Sequence, residues 1–310
     1  MAVLVLTHPQ PPQPFVEELR RLMPGEEFFM DVEAALAHAN NVEAILLWRL
    51  SPGMLDAFPS IKFLAASAAG VDKIIGPAMP PSLPLTRTVD VQQNQQIAQY
   101  VCAMVLRHVR QQALYDAQQR DKVWRRHPIP SPSSVTVGLM GLGESGQVVA
   151  AALLALGFNV CGWSRSPKKI PSVESFSGSA GLLSMVGRCQ VLVCLLPLTP
   201  ETTSVVNANL LAKLPRGAFF INVARGLHVV EQDLAQALQS GQLAGAALDV
   251  QGREPMPTDD PLWAVPNLLI TPHVASLPSA KAVASQLAEN LLRARRGEPL
   301  LHLVDTRIGY

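Results

Sequence analysis

Charge is scarce in this chain of 310 residues: only 16% are Asp, Glu, Lys or Arg, and the formal net charge is +1. Near neutrality there is no field to hold a nucleic-acid backbone, and apart from the Arg125-Arg126 pair the basic residues are scattered. Nucleic acid is therefore not an expected partner. Cysteine is sparse too. Cys102, Cys161, Cys189 and Cys194 lie in apolar surroundings without a C-x-x-C or other zinc-ligand spacing, so they read as buried, reduced thiols and no metal is expected. Long hydrophobic runs are missing. The longest, Val148 to Trp163, is interrupted by Gly157 and Asn159 and is shorter than the roughly 18 residues of a spanning helix. The start, Met1 to His8, has no basic leader and reads as a strand instead of a signal peptide. No internal repeat is visible, which sets solenoids and propellers aside. A soluble, cytoplasmic protein without membrane contact is the resulting expectation.

What is abundant is apolar: 48% of residues are hydrophobic, which excludes global disorder. Single cores stop growing at roughly 250–300 residues, so two domains are expected. Strand patterns appear at Val3–Leu6, Ala44–Trp48 and Phe63–Ala66, with helical spacing at Phe15–Leu22. A segment periodic from Ile97 to Asp116, free of proline and glycine, predicts one long helix. It is followed by a polar arm, Gln118–His127, and a proline-rich stop, Pro128 to Pro132. Beyond it come candidate strands at Ser134–Met140, Asn159–Trp163, Val191–Leu195, Ala218–Asn222, Ala246–Val250 and Leu268–Thr271. Helices are expected at Ser145–Leu156, Gln232–Ser240 and Ala280–Arg296. Such alternation implies a doubly wound parallel sheet, with ligands at the carboxyl ends of its strands.

At the first of these strand ends, Gly141-Leu142-Gly143-Glu144-Ser145-Gly146 matches G-x-G-x-x-G at a strand-to-helix junction. Gly141 allows the tight turn, Gly143 lets a pyrophosphate approach the backbone, and Gly146 lets helix and strand pack closely, while the helix N-terminus faces the phosphate charge. The G-x-x-x-x-G spacing of a P-loop is also present, but Gln147-Val148 stand where Lys and Ser or Thr are required, which disfavours triphosphate hydrolysis. A site preferring NADH should end its second strand in a carboxylate. Here that strand ends in Trp163-Ser164-Arg165-Ser166, with Lys168 and Lys169 behind. A guanidinium and hydroxyls can hold a 2′-phosphate that a carboxylate would repel, so NADPH (NADP+) is the implied cofactor.

Three further strand ends carry Arg225, Glu254 and His273. Carbonyl reduction needs a proton donor to the nascent alkoxide and a cation for a carboxylate and a polarised carbonyl. His273 can supply the proton, Glu254 beside it favours the protonated ring and fixes its orientation, and Arg225 can fork across substrate oxygens. The Y-x-x-x-K pair of short-chain dehydrogenases is absent at Tyr100, Tyr115 and Tyr310.

The segments Gly138–Gly146, Leu196–Thr202, Asn222–Gly226, Leu248–Pro255 and Thr271–Ser276 resemble the successive signatures of the D-isomer-specific 2-hydroxyacid dehydrogenases, across essentially the whole chain. Trp48, Ser67–Asp72, Trp163–Ser166, Arg225–His228 and the ending Val304–Tyr310 are similar to an NADPH-linked subgroup of that family. The resemblance implies reduction of glyoxylate to glycolate and of hydroxypyruvate to D-glycerate. It implies a flavodoxin-like substrate domain, residues 1–98 and 288–310, and a Rossmann cofactor domain, residues 99–287, both doubly wound α/β. Backbone amides around Ala69, Gly70 and Val71 would receive the substrate carboxylate, and Trp48 would wall the pocket. Leu196, Pro197 and Thr202 would line the adenosine half. Asp249 would bind the nicotinamide carboxamide, the Ala224 carbonyl would help orient that ring, and Val223 and Ala275 would be among the cofactor-binding residues. A homodimer is implied, with Trp124 on the arm reaching the partner subunit. Ile97-Ala98-Gln99 replaces the family's frequent Val-Ala-Glu, so a charge there is lost, and Gln251-Gly252-Arg253 replaces a commoner aromatic approach to Glu254. The regulatory domain of phosphoglycerate dehydrogenases has no length left after Tyr310. A 2-hydroxyacid dehydrogenase for bulkier 2-oxo acids and a non-catalytic, NAD(P)-regulated binding protein on the same fold are the alternatives.

Overall fold

The computed structural model describes residues 1–306; Arg307, Ile308, Gly309 and Tyr310, which end the terminal motif, lie outside the described residues. The chain divides into two compact units, Met1–Gln93 together with the chain from Leu277 onward, and Asn94–Ser276. The boundaries read from sequence, after residue 98 and before residue 288, fall further along the chain. At the second crossing the whole helix Ala280–Arg296 goes with the first unit.

In the first unit β1 (Ala2–Leu6), β2 (Glu27–Phe29), β3 (Val42–Leu47), β4 (Phe63–Ala66) and β5 (Leu85–Thr86) form an all-parallel sheet in the order β2-β1-β3-β4-β5, the flavodoxin arrangement. Parallel strands need cover on both faces, and β3 is buried at every position. On one face Val3, Val5, Ala44, Leu46 and Phe63 meet Phe15, Val16 and Leu19 of α1 (Gln13–Leu22) and the apolar stripe of the C-terminal helix Ala280–Arg296. On the other, Leu4, Ile45, Leu47 and Leu64 pack on Ala35 of α2 (Val32–Leu36) and on Phe58 and Ile74 from loops. The returning chain fastens the edge strand through Val304 N–H to the Leu85 carbonyl at 2.9 Å.

At the amino ends of these strands sits a network of charges. The Glu43 carboxylate, only 5% exposed, holds Lys62 and Arg295, and Arg295 also reaches Glu26. Burial pushes the Glu43 carboxyl up, but hydrogen bonds from Lys62 and Arg295 outweigh it and leave the group below its ordinary value. The bond from Arg295 lowers Glu26 in the same way against its own burial.

The second unit carries β6 (Thr136–Met140), β7 (Asn159–Ser164), β8 (Glu174–Ser177), β9 (Val191–Cys194), β10 (Ala218–Asn222), β11 (Leu243–Leu248) and β12 (Leu268–Ile270). They are parallel throughout, in the order β12-β11-β10-β9-β6-β7-β8, so the order reverses between β6 and β9. Val137, Leu139, Val191, Val193 and Ile221 face α3 (Val91–Val109) and α5 (Glu144–Ala155). Met140, Leu192, Phe220 and Leu248 face α6 (Gly178–Val186), α7 (Ala208–Leu211) and α8 (Glu231–Gln239). Two doubly wound parallel α/β units are therefore present, as the alternating pattern predicts. The last helix of the chain, Ala280–Arg296, is α9. Its N-cap Ser279 accepts from the Ala282 amide, and Gly297 ends it at φ 68°.

The expected helix Ile97–Asp116 is instead two helices. α3 ends at Val109, Gln111 adopts φ 54°, and α4 (Gln112–Arg120) starts after it. The break is held from outside the helix: the Gln111 side chain donates to the Pro128 carbonyl, and the Tyr115 hydroxyl accepts from the His127 amide. The arm thus folds back along α4. The elements β2, β5, β8, α2, α6 and α7 have no counterpart among the expected elements, because their periodicity is too brief to stand out. Among the described residues no helix is long and apolar enough to cross a membrane.

The charge network predicts how the first unit responds to acid. A carboxyl whose folded value is depressed contributes stability that is present above its unfolded value and lost as pH falls through the folded one. Arg295→Met, which removes the cation that Glu26 and Glu43 share, is expected to lower stability by about 3 kcal/mol near neutral pH. The deficit should shrink below the ordinary carboxylate range, as read by urea denaturation across a pH series.

Candidate active site

Every site residue expected in the second unit falls at the carboxyl edge of its sheet. After β6 the chain turns at Gly141, where φ is 114° and a Cβ would come within 2.8 Å of the Leu195 carbonyl oxygen. A Cβ on Gly146 would lie 2.1 Å from the Gly141 carbonyl oxygen, so helix and turn meet backbone to backbone. Gly143 differs: nothing lies within 4 Å of its would-be Cβ. Two glycines are required by the protein's own packing, and the third opens outward at the N-terminus of α5, where amides without helical partners attract an anion. Glu144 is exposed and Ser145 half-buried, its hydroxyl on Asn94, whereas Leu142 is buried and fills the space over Gly162. This geometry fits a pyrophosphate at Gly143.

After β7 the Trp163 indole donates to the Gly178 carbonyl at 2.8 Å, and the Ser164 hydroxyl to that of Ser166 at 2.8 Å. Both side chains thus shape the loop internally. Arg165 and Ser166 are exposed at its tip, and Lys168 reaches back to the Leu142 carbonyl at 3.0 Å, joining the basic loop to the glycine turn.

After β9, Leu196 is a core side chain and Pro197 is exposed. The Thr202 hydroxyl donates to the Pro197 carbonyl at 2.8 Å and accepts from the Thr199 amide, which makes this threonine the clasp of its loop. After β10, Asn222 has no exposed surface; its Oδ1 accepts from the Ala224 amide and its Nδ2 donates to the Arg225 carbonyl. Val223 is half-buried against the core and Ala224 is buried, so Arg225 is the polar side chain the turn presents, its guanidinium also touching the Ala224 carbonyl. Gly226 brings this turn against the loop after β11, since a Cβ there would fall 1.9 Å from the Gln251 carbonyl carbon.

That next loop is built around two carboxylates. Glu254 accepts from the Gln251 amide through Oε1, and its Oε2 lies 3.1 Å from Nδ1 of His273. Asp249, 1% exposed, accepts the Thr271 hydroxyl and the Val274 amide at Oδ1 and the Ala275 amide at Oδ2. Its carbonyl takes the His273 amide at 2.8 Å. His273 itself stands at φ 56°, an unusual conformation for a residue with a Cβ, and these bonds hold it there. Because Thr271 gives its proton to Asp249, the Tyr100 hydroxyl 2.7 Å away is the donor to Thr271. Burial raises the Tyr100 phenol, with the Asp249 charge adding to the effect. Arg225, Glu254 and His273 thus sit on loops that touch one another in sequence: Gly226 on Gln251, Gln251 on Glu254, Glu254 on His273.

Asn222, Tyr100 and Thr271 received no role from the sequence. The signal available for Asn222 was a polar residue closing the apolar strand Ala-Phe-Phe-Ile; for Tyr100 none existed, since the contact spans 171 positions. In the first unit Trp48 follows β3, half-buried, with the Lys73 ammonium 5.2 Å from its ring centroid. Ala69 and Gly70 form an accessible loop after β4 while Val71 is buried. They too lie at the carboxyl edge of their sheet.

A glycine turn at the switch point of a parallel sheet, with a hydrogen-bonded imidazole and carboxylate on the loops after β12 and β11, defines a dinucleotide-binding protein of the Rossmann class. The model of the NAD binding domain of the D-isomer specific 2-hydroxyacid dehydrogenases matches residues 102–275, and the chain belongs to this family. It is 40% identical over 271 residues to glyoxylate/hydroxypyruvate reductase A of Serratia proteamaculans (strain 568), covering 86% of this chain and 87% of that one. With the enzyme of the same name from Klebsiella pneumoniae (strain 342) it shares 38% over 303 residues, 96% of each. Among solved structures, a D-isomer specific 2-hydroxyacid dehydrogenase of Xanthobacter autotrophicus Py2 in complex with NADPH and MES superposes with a TM-score of 0.92 at 38% identity, over 100% of this chain and 99% of the other. The NADPH-dependent glyoxylate/hydroxypyruvate reductase of Sinorhizobium meliloti, with NADP and sulfate, gives 0.92 at 36% over 100% and 99%.

The touching loops predict that Gly226→Ala separates Arg225 from Glu254. The added methyl meets backbone, which cannot rotate away, so the variant is expected to melt several degrees lower by circular dichroism.

Proposed function

We propose that this protein is an NADPH-dependent reductase of small 2-oxo acids, converting glyoxylate to glycolate and hydroxypyruvate to D-glycerate. The observation that carries this reading is the His273–Glu254 pair, 3.1 Å apart, on a loop that touches the turn presenting Arg225. When bound, NADPH supplies the hydride. Arg225 binds the carboxylate and carbonyl oxygens of the substrate through its fork of donors. Glu254 accepts from Nδ1 of His273, which fixes the ring and leaves Nε2 as the atom that gives a proton to the carbonyl oxygen. Asp249 holds the segment that carries His273 through the Val274 and Ala275 amides. Gly143 and the first turn of α5 take the pyrophosphate, and Arg165 with Ser166 takes the 2′-phosphate. The named relatives and the NADPH-containing structure support both the substrate class and the cofactor.

A homodimer in the cytoplasm completes the reading. Trp124 is 95% exposed on the arm, where Val123 and Ile129 are exposed too, and that much uncovered apolar side chain favours cover by a second copy.

Loss of NADPH absorbance on adding glyoxylate or hydroxypyruvate tests the activity; binding of NADPH without turnover of any 2-oxo acid would instead favour the regulated binding protein. His273→Gln is expected to lower kcat at least about a hundredfold with the NADPH dissociation constant little changed. Arg165→Ala should raise the KM for NADPH about tenfold and leave that for NADH alone. Sedimentation should give a dimer that Trp124→Glu weakens.

A further inference from the structure

One buried side chain joins the loop after β9 to the turn that carries Arg225. His228 has no exposed surface. Its Nε2 lies 3.2 Å from the Pro197 carbonyl oxygen, and its Nδ1 lies 3.2 Å from the Arg225 amide nitrogen and 3.0 Å from the Arg225 carbonyl oxygen. A carbonyl only accepts, so Nε2 carries the proton. In the neutral ring Nδ1 is then an acceptor, and the Arg225 N–H is the donor it meets; the Arg225 carbonyl, which accepts from Asn222 Nδ2 at 2.9 Å, gives an unprotonated Nδ1 nothing to accept. A doubly protonated ring would set Nδ1–H against that amide donor and bury a charge.

The neighbouring backbone moves with this contact. Ser204 donates to Leu227 and Val206 to His228, both at 2.9 Å, and Val230 returns a bond to Val206. The Thr202 hydroxyl shares the Pro197 carbonyl with the imidazole. Residues 197–206 and 225–230 therefore form one hydrogen-bonded block, with His228 as the side chain that spans it.

We infer that His228, as the neutral Nε2–H tautomer, is a positioning residue whose ring orders the backbone of the substrate-binding Arg225 through Nδ1 and the cofactor-side loop carrying Pro197 through Nε2. The inference rests on the proposed reduction for what Arg225 binds. It does not depend on it for where the ring's protons are.

Two conservative replacements separate the two ends of the ring. Gln at 228 can set an amide nitrogen near the Nε2 position and keep the bond to Pro197, but it has no acceptor for the Arg225 amide. Asn can keep that acceptor and loses Pro197. His228→Gln is expected to lower kcat/KM for glyoxylate about tenfold with the KM for NADPH within about twofold. His228→Asn should retain most of kcat/KM for glyoxylate while the KM for NADPH rises. A residue that only fills the core would affect both parameters alike in both variants, and that result would overturn the assignment. Because a buried replacement can unfold the unit, the wild-type ring is read as well, by nitrogen-15 NMR of the histidine side chains without cofactor at neutral pH. A neutral Nε2–H signal for His228 is expected, and an imidazolium or an Nδ1–H tautomer would refute the inference. A wild-type protein that turns over no 2-oxo acid refutes the reduction, and the tautomer then decides the placement of His228 independently.

Discussion

The carboxylate of Asp249 is the interaction on which the catalytic edge depends. Sealed from water at the end of β11, it takes one hydroxyl and two amides of the segment 271–275, and the carbonyl of the same residue takes the His273 amide. A buried anion so fully engaged fixes the backbone around it, because any rearrangement would strand a charge in a dry site. That is how His273 is held in a left-handed conformation and its ring kept against Glu254. Tyr100, reaching in from α3 through Thr271, adds a donor to the same network.

Around that centre the parallel sheet imposes the architecture. Covered on both faces, it leaves only loops at the ends of strands for chemistry, and three of these loops are folded by a polar side chain of their own. Asn222 closes the turn before Arg225, Thr202 the loop after β9, and Ser164 the basic loop. Glycine then lets the loops meet: Gly141 against Leu195, Gly226 against Gln251. The functional side chains are few, and the residues that aim them outnumber them.

Much of this was legible in the chain. Apolar strands of the second series, the glycine turn, the missing carboxylate after Trp163 and the Arg, Glu and His at successive strand ends are all local patterns, and the structure sets the last three on contiguous loops. Less legible were the short edge elements such as β5 and β8, whose existence depends on a neighbouring strand or on the returning chain segment. The helix break at Gln111 was invisible, since no glycine or proline marks it and its supports, Pro128 and His127, are set by how the arm folds back.

By itself, then, the sequence determined the alternation of strand and helix, the two parallel sheets that follow from it, and which residue types stand at the strand ends. Those depend on periodicity and on backbone rules that act over a few positions. Tertiary structure alone decided which buried groups satisfy one another: Tyr100 with Thr271, His228 with Pro197 and Arg225, Arg295 with Glu26 and Glu43. Each pairing is a hydrogen bond that exists only once water has been displaced from both partners, and no local pattern encodes which partner that will be.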